Sequence, residues 1–142
     1  MKQPLSTALT LSICVFLLVE GIWGLFSPVV FGVLTTNHAH AIIHLVLGAA
    51  GLLAVWKRAT KAYFGFLGSL LIVVAFLWLL PATREVPRGL LNINAAVTAV
   101  NFVVGILCLV IAFTETSRRR FGVPGTTTNP PMRVAGKSRK AA

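Results

Sequence analysis

The chain has 142 residues, of which 56% are hydrophobic and only 11% charged. Soluble domains carry about 25% charged residues, so this sequence lacks the polar coat of a water-soluble globular fold. Thirteen Lys and Arg stand against three Asp and Glu, a net charge of +10. The basic residues lie between and after apolar runs, which points to lipid headgroups and away from nucleic acid.

Four apolar runs follow in order: Leu5–Phe26, Ala39–Trp56, Ala62–Leu80 and Leu90–Phe113. A helix needs about 20 residues to cross about 30 Å of hydrocarbon. None of the runs alternates as a barrel strand would. Lipid offers backbone groups no partner, so each run is expected to coil into a spanning helix. The fold expected is all-α, an integral membrane four-helix bundle over residues 1–115, with a basic, disordered tail over 116–142. Trp23, Trp56 and Tyr63 sit near the expected boundaries, as interfacial aromatics do.

The first connection, Ser27–His38, carries no formal charge. The second, Lys57–Lys61, holds three basic residues. In the third, Pro81–Gly89, both prolines are expected to stop a helix. Eleven basic residues share one side if both termini are cytoplasmic, leaving Arg84 and Arg88 outside. The positive-inside rule favours that orientation. Arg118, Arg119 and Arg120, at the end of the last run, are expected to meet lipid headgroups. Cys14 and Cys108 lie within apolar runs and read as small buried hydrophobes. The segment ending in Cys14 has the outline of a lipoprotein cleavage box, but Ile13 is too bulky before the cut. The first run has no Ala-x-Ala exit, which argues against a cleaved signal peptide.

Runs two and four match at an offset of 57 residues. Asn37 falls on Asn94, Ala39 on Ala96, His44 on Asn101, Gly48 on Gly105 and Leu52 on Leu109. The pattern suggests two helical hairpins in a parallel repeat about an axis along the membrane normal. The odd-numbered runs align poorly at that offset.

Ionisable groups within hydrocarbon are costly and usually face the bundle interior. At about 1.5 Å rise per residue, Glu20 on the first helix and His44 on the second reach similar depth from one side. Asn101 joins that level if the repeat holds. The candidate site is therefore a buried polar cluster of Glu20, His44 and Asn101, with His40, Asn37 and Asn94 nearby. It reads either as interhelical hydrogen bonding or as a proton-linked or ligand-linked centre. His40 and His44 are one turn apart, a spacing that can hold a metal. The acidic residue of the metalloprotease motif is missing, so no metal, haem or other cofactor is expected. Gly24, Gly48, Gly51 and Gly105 are expected to let helices pack closely.

Three stretches, FLLVEGIWGLF from Phe16, HAIIHLVLGAAGL from His40 and NAAVTAVNFVVGIL from Asn94, resemble the four-helix bacterial membrane family known as domain of unknown function 4383. The likeness covers about residues 5–115 and is carried best by His44–Leu45 followed by Gly48. Members of that family often repeat this pattern on the fourth helix, where this chain reads Asn101–Phe102 and Gly105. The resemblance implies fold and location in a bacterial inner membrane, and no activity.

No nucleophile–base pair or phosphate loop is found, and there is no Asp at all. The expected function is that of a non-catalytic accessory, assembly or lipid-interacting component. A small transporter or proton-linked sensor is the alternative, and an embedded enzyme the third reading. The expected partners are membrane lipids, with a membrane protein or a second copy as further candidates.

Overall fold

A computed structural model describes the backbone over residues 5–120 and side chains over 7–114. The elements in chain order are α1 (Leu5–Phe26), β1 (Val29–Val30), β2 (Leu34–Thr35), α2 (His38–Trp56), α3 (Thr60–Leu79), α4 (Glu85–Leu91) and α5 (Ala95–Arg120). Four of these helices, α1, α2, α3 and α5, are long and apolar enough to cross a membrane. Large apolar side chains such as Val15, Ile22, Val46, Phe66, Val73, Val103 and Val110 cover their outer faces. That surface suits lipid, which is as apolar as the side chains themselves.

The uncharged connection between α1 and α2 contains a small antiparallel hairpin pairing Val29 with Thr35 and Val30 with Leu34. Phe31 and Gly32 at its tip both have positive φ, the sign pattern of a type I′ turn. The fourth apolar run, read as one helix over 90–113, is divided. Its first residues close α4, Asn92 adopts a left-handed conformation at φ 52° and ψ 41°, and α5 begins at Ala95. Asn tolerates that conformation and ends helices through it. Pro87 does not stop a helix as expected. It sits in the first turn of α4, where a backbone N–H would have no intrahelical acceptor. At the other end the backbone of α5 continues to Arg120, past the expected start of the tail. The side chains of Arg118, Arg119 and Arg120, and the tail from residue 121, lie outside the described residues.

The chain folds as two antiparallel hairpins, α1 with α2 and α3 with α5. They are related as the offset of 57 implied. Asn37 caps α2 by accepting the His40 N–H at 2.9 Å, and Asn94 caps α5 by accepting the Val97 N–H at 2.9 Å. The glycines repeat the pattern. A Cβ added at Gly48 would lie 3.2 Å from the Cys14 carbonyl, and one at Gly105 would lie 3.2 Å from the Gly68 carbonyl. Their other close neighbours are Leu18 and Ile72. Cys14 and Gly68, and likewise Leu18 and Ile72, are 54 residues apart. The odd helices therefore repeat at 54 and the even helices at 57, because matched positions on α3 and α5 are three residues further apart than those on α1 and α2. A single offset hides half of the repeat.

The hairpins meet in two apolar clusters. One holds Cys14, Leu17, Leu47, Tyr63, Phe64, Leu67, Leu71 and Cys108. In it Tyr63, expected at the interface, is buried and donates its hydroxyl to the Leu47 carbonyl at 3.1 Å. A phenol inside an apolar core must satisfy its O–H, and this carbonyl is the partner. The other cluster packs Val30 and Leu34 of the β-hairpin on Ile93 and Val97 of the opposite half. Around it, polar side chains cross between halves. Asn37 Nδ2 donates to the Leu90 carbonyl, Asn94 Nδ2 to the Val33 carbonyl, Thr35 Oγ1 to the Asn92 carbonyl and Asn92 Nδ2 to the Thr36 carbonyl. These bonds form a clasp at one end of the bundle.

Candidate functional site

Glu20 lies on the face of α1 that packs on α2, one residue before Gly21. A Cβ at Gly21 would lie 2.9 Å from the Ala41 carbonyl and 2.8 Å from the Leu45 side chain. The bare glycine lets the two backbones approach at this level. His44, one turn beyond Ala41 towards the middle of α2, then comes opposite Glu20. Its Nδ1 is 3.1 Å from Glu20 Oε2. Both residues are 5% exposed.

One turn back towards the clasp is His40, 3% exposed. Its ring meets that of His44 edge to face, with centroids 4.3 Å apart. The capping of α2 by Asn37 fixes where this turn begins. The Nδ1 of His40 is buried with no hydrogen-bond partner among the described residues. A buried polar atom without a partner is costly. The site is thus a file of three side chains, His40, His44 and Glu20, running inward from the clasp.

Asn101 is buried as well. It stands on α5, whose main neighbour is α3, and among the described residues no bond joins it to Glu20 or His44. Asn37 and Asn94 serve as caps and clasp residues rather than as part of the file. His38 is exposed at the start of α2. The two halves therefore differ. With the offsets of 54 and 57, Glu20 falls on Val74, His44 on Asn101 and His40 on Val97. Among the described residues, a buried ionisable pair lies in the first hairpin alone.

Gly24 faces Thr36 and Ala41, and Gly51 faces Tyr63 and Cys14, whose Sγ an added Cβ would meet. Among the described residues no group of three or more His, Cys, Asp or Glu is placed to hold a metal ion.

Two features were not visible as chemistry in the sequence. Gly21 looks like any other small residue until its close contact with α2 is known. Trp78 lies under Arg84: its Nε1 donates to the Ile93 carbonyl at 3.0 Å, and its own carbonyl accepts from Arg84 Nε at 2.9 Å. The signal for the second was the pairing of an aromatic and an arginine across Pro81.

The family described as Domain of unknown function (DUF4383) matches residues 7–114, the stretch that contains the four apolar spans and the clasp. The chain belongs to this family. No curated protein and no solved structure matches it. Membership in DUF4383 agrees with the four-helix membrane architecture and assigns no reaction. What this DUF4383 protein does has to be argued from its own side chains.

Proposed function

We propose that the protein is a non-catalytic, proton-responsive component of a bacterial inner membrane, with both termini in the cytoplasm and the clasp facing outward. The observation that carries this is the 3.1 Å contact between His44 Nδ1 and Glu20 Oε2, both 5% exposed within apolar helices. Ionisable residues inside a membrane span are expensive, and those retained there usually serve a function.

A carboxyl and an imidazole in contact can share a proton or pass it fully to the imidazole. A proton gained or lost there changes the net charge between α1 and α2, so it acts on the packing of these two helices. His40 stands between the pair and the clasp, so it is the group through which a proton would arrive. Among the described residues no substrate-orienting group accompanies the pair, which favours a sensing or accessory role over catalysis. The lipid-facing surface leaves room for membrane lipids, a membrane protein or a second copy as partner.

The test is amide hydrogen exchange of the full chain in detergent across a pH series. In the wild type, exchange in the outer turns of α1 and α2 is expected to change with pH. In Glu20→Gln and His44→Gln that pH-dependent change should vanish, although overall protection falls with the lost contact. A pH response identical in the variants would remove the pair from the mechanism. The transport alternative is separated by proteoliposome flux: a proton leak that Glu20→Gln abolishes would replace sensing by transport.

A further inference from the structure

The clasp end holds a second feature, separate from the buried file. A cavity of about 390 Å³ opens between the end of α3, α4 and the start of α5, with Thr35 of β2 on its rim. Its lining includes Trp78, Arg84, Arg88, Asn92, Asn94 and Ala95.

The lining is rich in donors. Arg84 is held in place twice, by the bond from its Nε to the Trp78 carbonyl and by stacking 4.6 Å above the Trp78 ring. Its two terminal nitrogens remain to face a ligand, in the planar fork that suits phosphate and carboxylate. Arg88 adds a second guanidinium. Ala95 is the first residue of α5, whose first N–H groups have no intrahelical acceptors. Asn94 satisfies the N–H of Val97, which leaves those of Ala95 and Ala96 at the mouth of the helix. The amide nitrogens of Asn92 and Asn94 are bonded to the Thr36 and Val33 carbonyls, so they stiffen the wall. No carboxylate lines the cavity. The nearest acid, Glu85, lies 3.6 Å from Arg88 on the exposed side, in a pair where both side chains are more than half exposed. Exposed ion pairs of this kind are weak, so Arg88 is easily recruited.

The matching connection in the first half, residues 27–38, has no Lys or Arg at all. At this end of the bundle the basic residues, Arg84 and Arg88, lie in one half and line one cavity. Exposed Leu79, Leu80, Val86 and Leu90 belong to the same segments and present an apolar border.

We propose that this cavity binds a phosphate group, supplied either by the headgroup of an anionic lipid or by free inorganic phosphate. The fixed Arg84 sets the position of the anion, Arg88 closes over it, and the open N–H groups of α5 complete the donor set. The apolar border receives acyl chains when the phosphate belongs to a lipid.

The test uses the full chain, delipidated in mild detergent. One arm measures retention of phosphatidylglycerol by native mass spectrometry, with diacylglycerol as the probe that has tails and no phosphate. The other arm titrates inorganic phosphate and follows the thermal midpoint. Three proteins are compared with the wild type: Arg84→Gln with Arg88→Gln, Arg88→Gln alone, and Lys57→Gln with Lys61→Gln. The last removes the same charge at the opposite end.

Phosphatidylglycerol retention is expected in the wild type and the lysine variant, and about tenfold weaker in the double arginine variant, the loss of roughly one charge-assisted hydrogen bond. A saturable midpoint rise with inorganic phosphate, lost in the same variant, supports the site with free phosphate as its source. Should the double variant fail to fold, Arg88→Gln alone decides. Its side chain is exposed, so folding is unaffected, and affinity should fall at least severalfold. Binding of neither probe, equal retention of diacylglycerol, or equal losses in the arginine and lysine variants would overturn the proposal.

Discussion

Asn37 and Asn94 make the same two contacts in opposite halves of the chain. Each accepts the N–H three residues ahead, and each donates across the clasp, Asn37 to the Leu90 carbonyl and Asn94 to the Val33 carbonyl. Leu90 and Val33 are themselves 57 residues apart, so the bonds are exchanged by one twofold relation. Asn37→Ala and Asn94→Ala should each lower stability by about 1 kcal/mol for the cap, with a further amount for the lost crossing bond. Similar falls in thermal midpoint for the two variants would be the signature of the repeat. A large fall for one and none for the other would deny their equivalence.

The Glu20–His44 contact should show as coupling. Each single change, Glu20→Gln or His44→Gln, leaves one buried partner poorly matched and is expected to cost about 1–3 kcal/mol. The double variant pairs two neutral amides in the same space and should cost less than the sum of the singles. A double-mutant cycle on thermal midpoints in one detergent measures this, and strict additivity would mean that the two side chains do not interact.

Glycines on the helices should respond to alanine according to what lies opposite. At Gly51 an added methyl meets the Cys14 sulfur and the Tyr63 ring, and at Gly68 it meets the Gly105 carbonyl at 2.8 Å. Both substitutions should destabilise by about 1–3 kcal/mol, as overpacking does. At Gly65 nothing lies within 4 Å, so alanine should be neutral or stabilising by a few tenths of a kcal/mol through helix propensity. Melting of the three variants side by side checks the order.

Tyr63→Phe removes the hydroxyl that reaches the Leu47 carbonyl and should cost about 1 kcal/mol. The same core shields Cys14 and Cys108, both free and buried. Maleimide should leave the folded protein unlabelled and modify two thiols once it is denatured, which a mass shift reads directly. Rapid labelling of the native protein would place Cys14 or Cys108 outside the core.

Much of this was legible along the chain. Glu20 and His44 could be matched by depth alone, because two helices joined by a short connection run antiparallel and a residue's distance from the turn sets its level. Asn37 and Asn94 signalled the repeat, since polar residues recurring in apolar runs stand out. His40 was seen as a neighbour of His44, but its unpartnered Nδ1 was not, because partners are supplied by other segments. The repeat in α1 and α3 stayed hidden because the connection through α4 is longer than the one through the β-hairpin, which changes the offset. Tyr63 looked like an interfacial residue because its position near a helix end says nothing of which way it faces.

The amino-acid sequence alone determined that four helices form and that they cross lipid, because hydrocarbon forbids unpaired peptide groups and each long apolar run can satisfy its own. The tertiary structure decided which faces meet. The approach of α1 to α2 at Gly21, the exchange of bonds across the clasp and the gathering of Arg84, Arg88 and the start of α5 around one cavity all depend on rotation of each helix about its axis. Among uniformly apolar helices that rotation is set by the fit of small residues against large ones, a property of pairs of segments that neither segment states by itself.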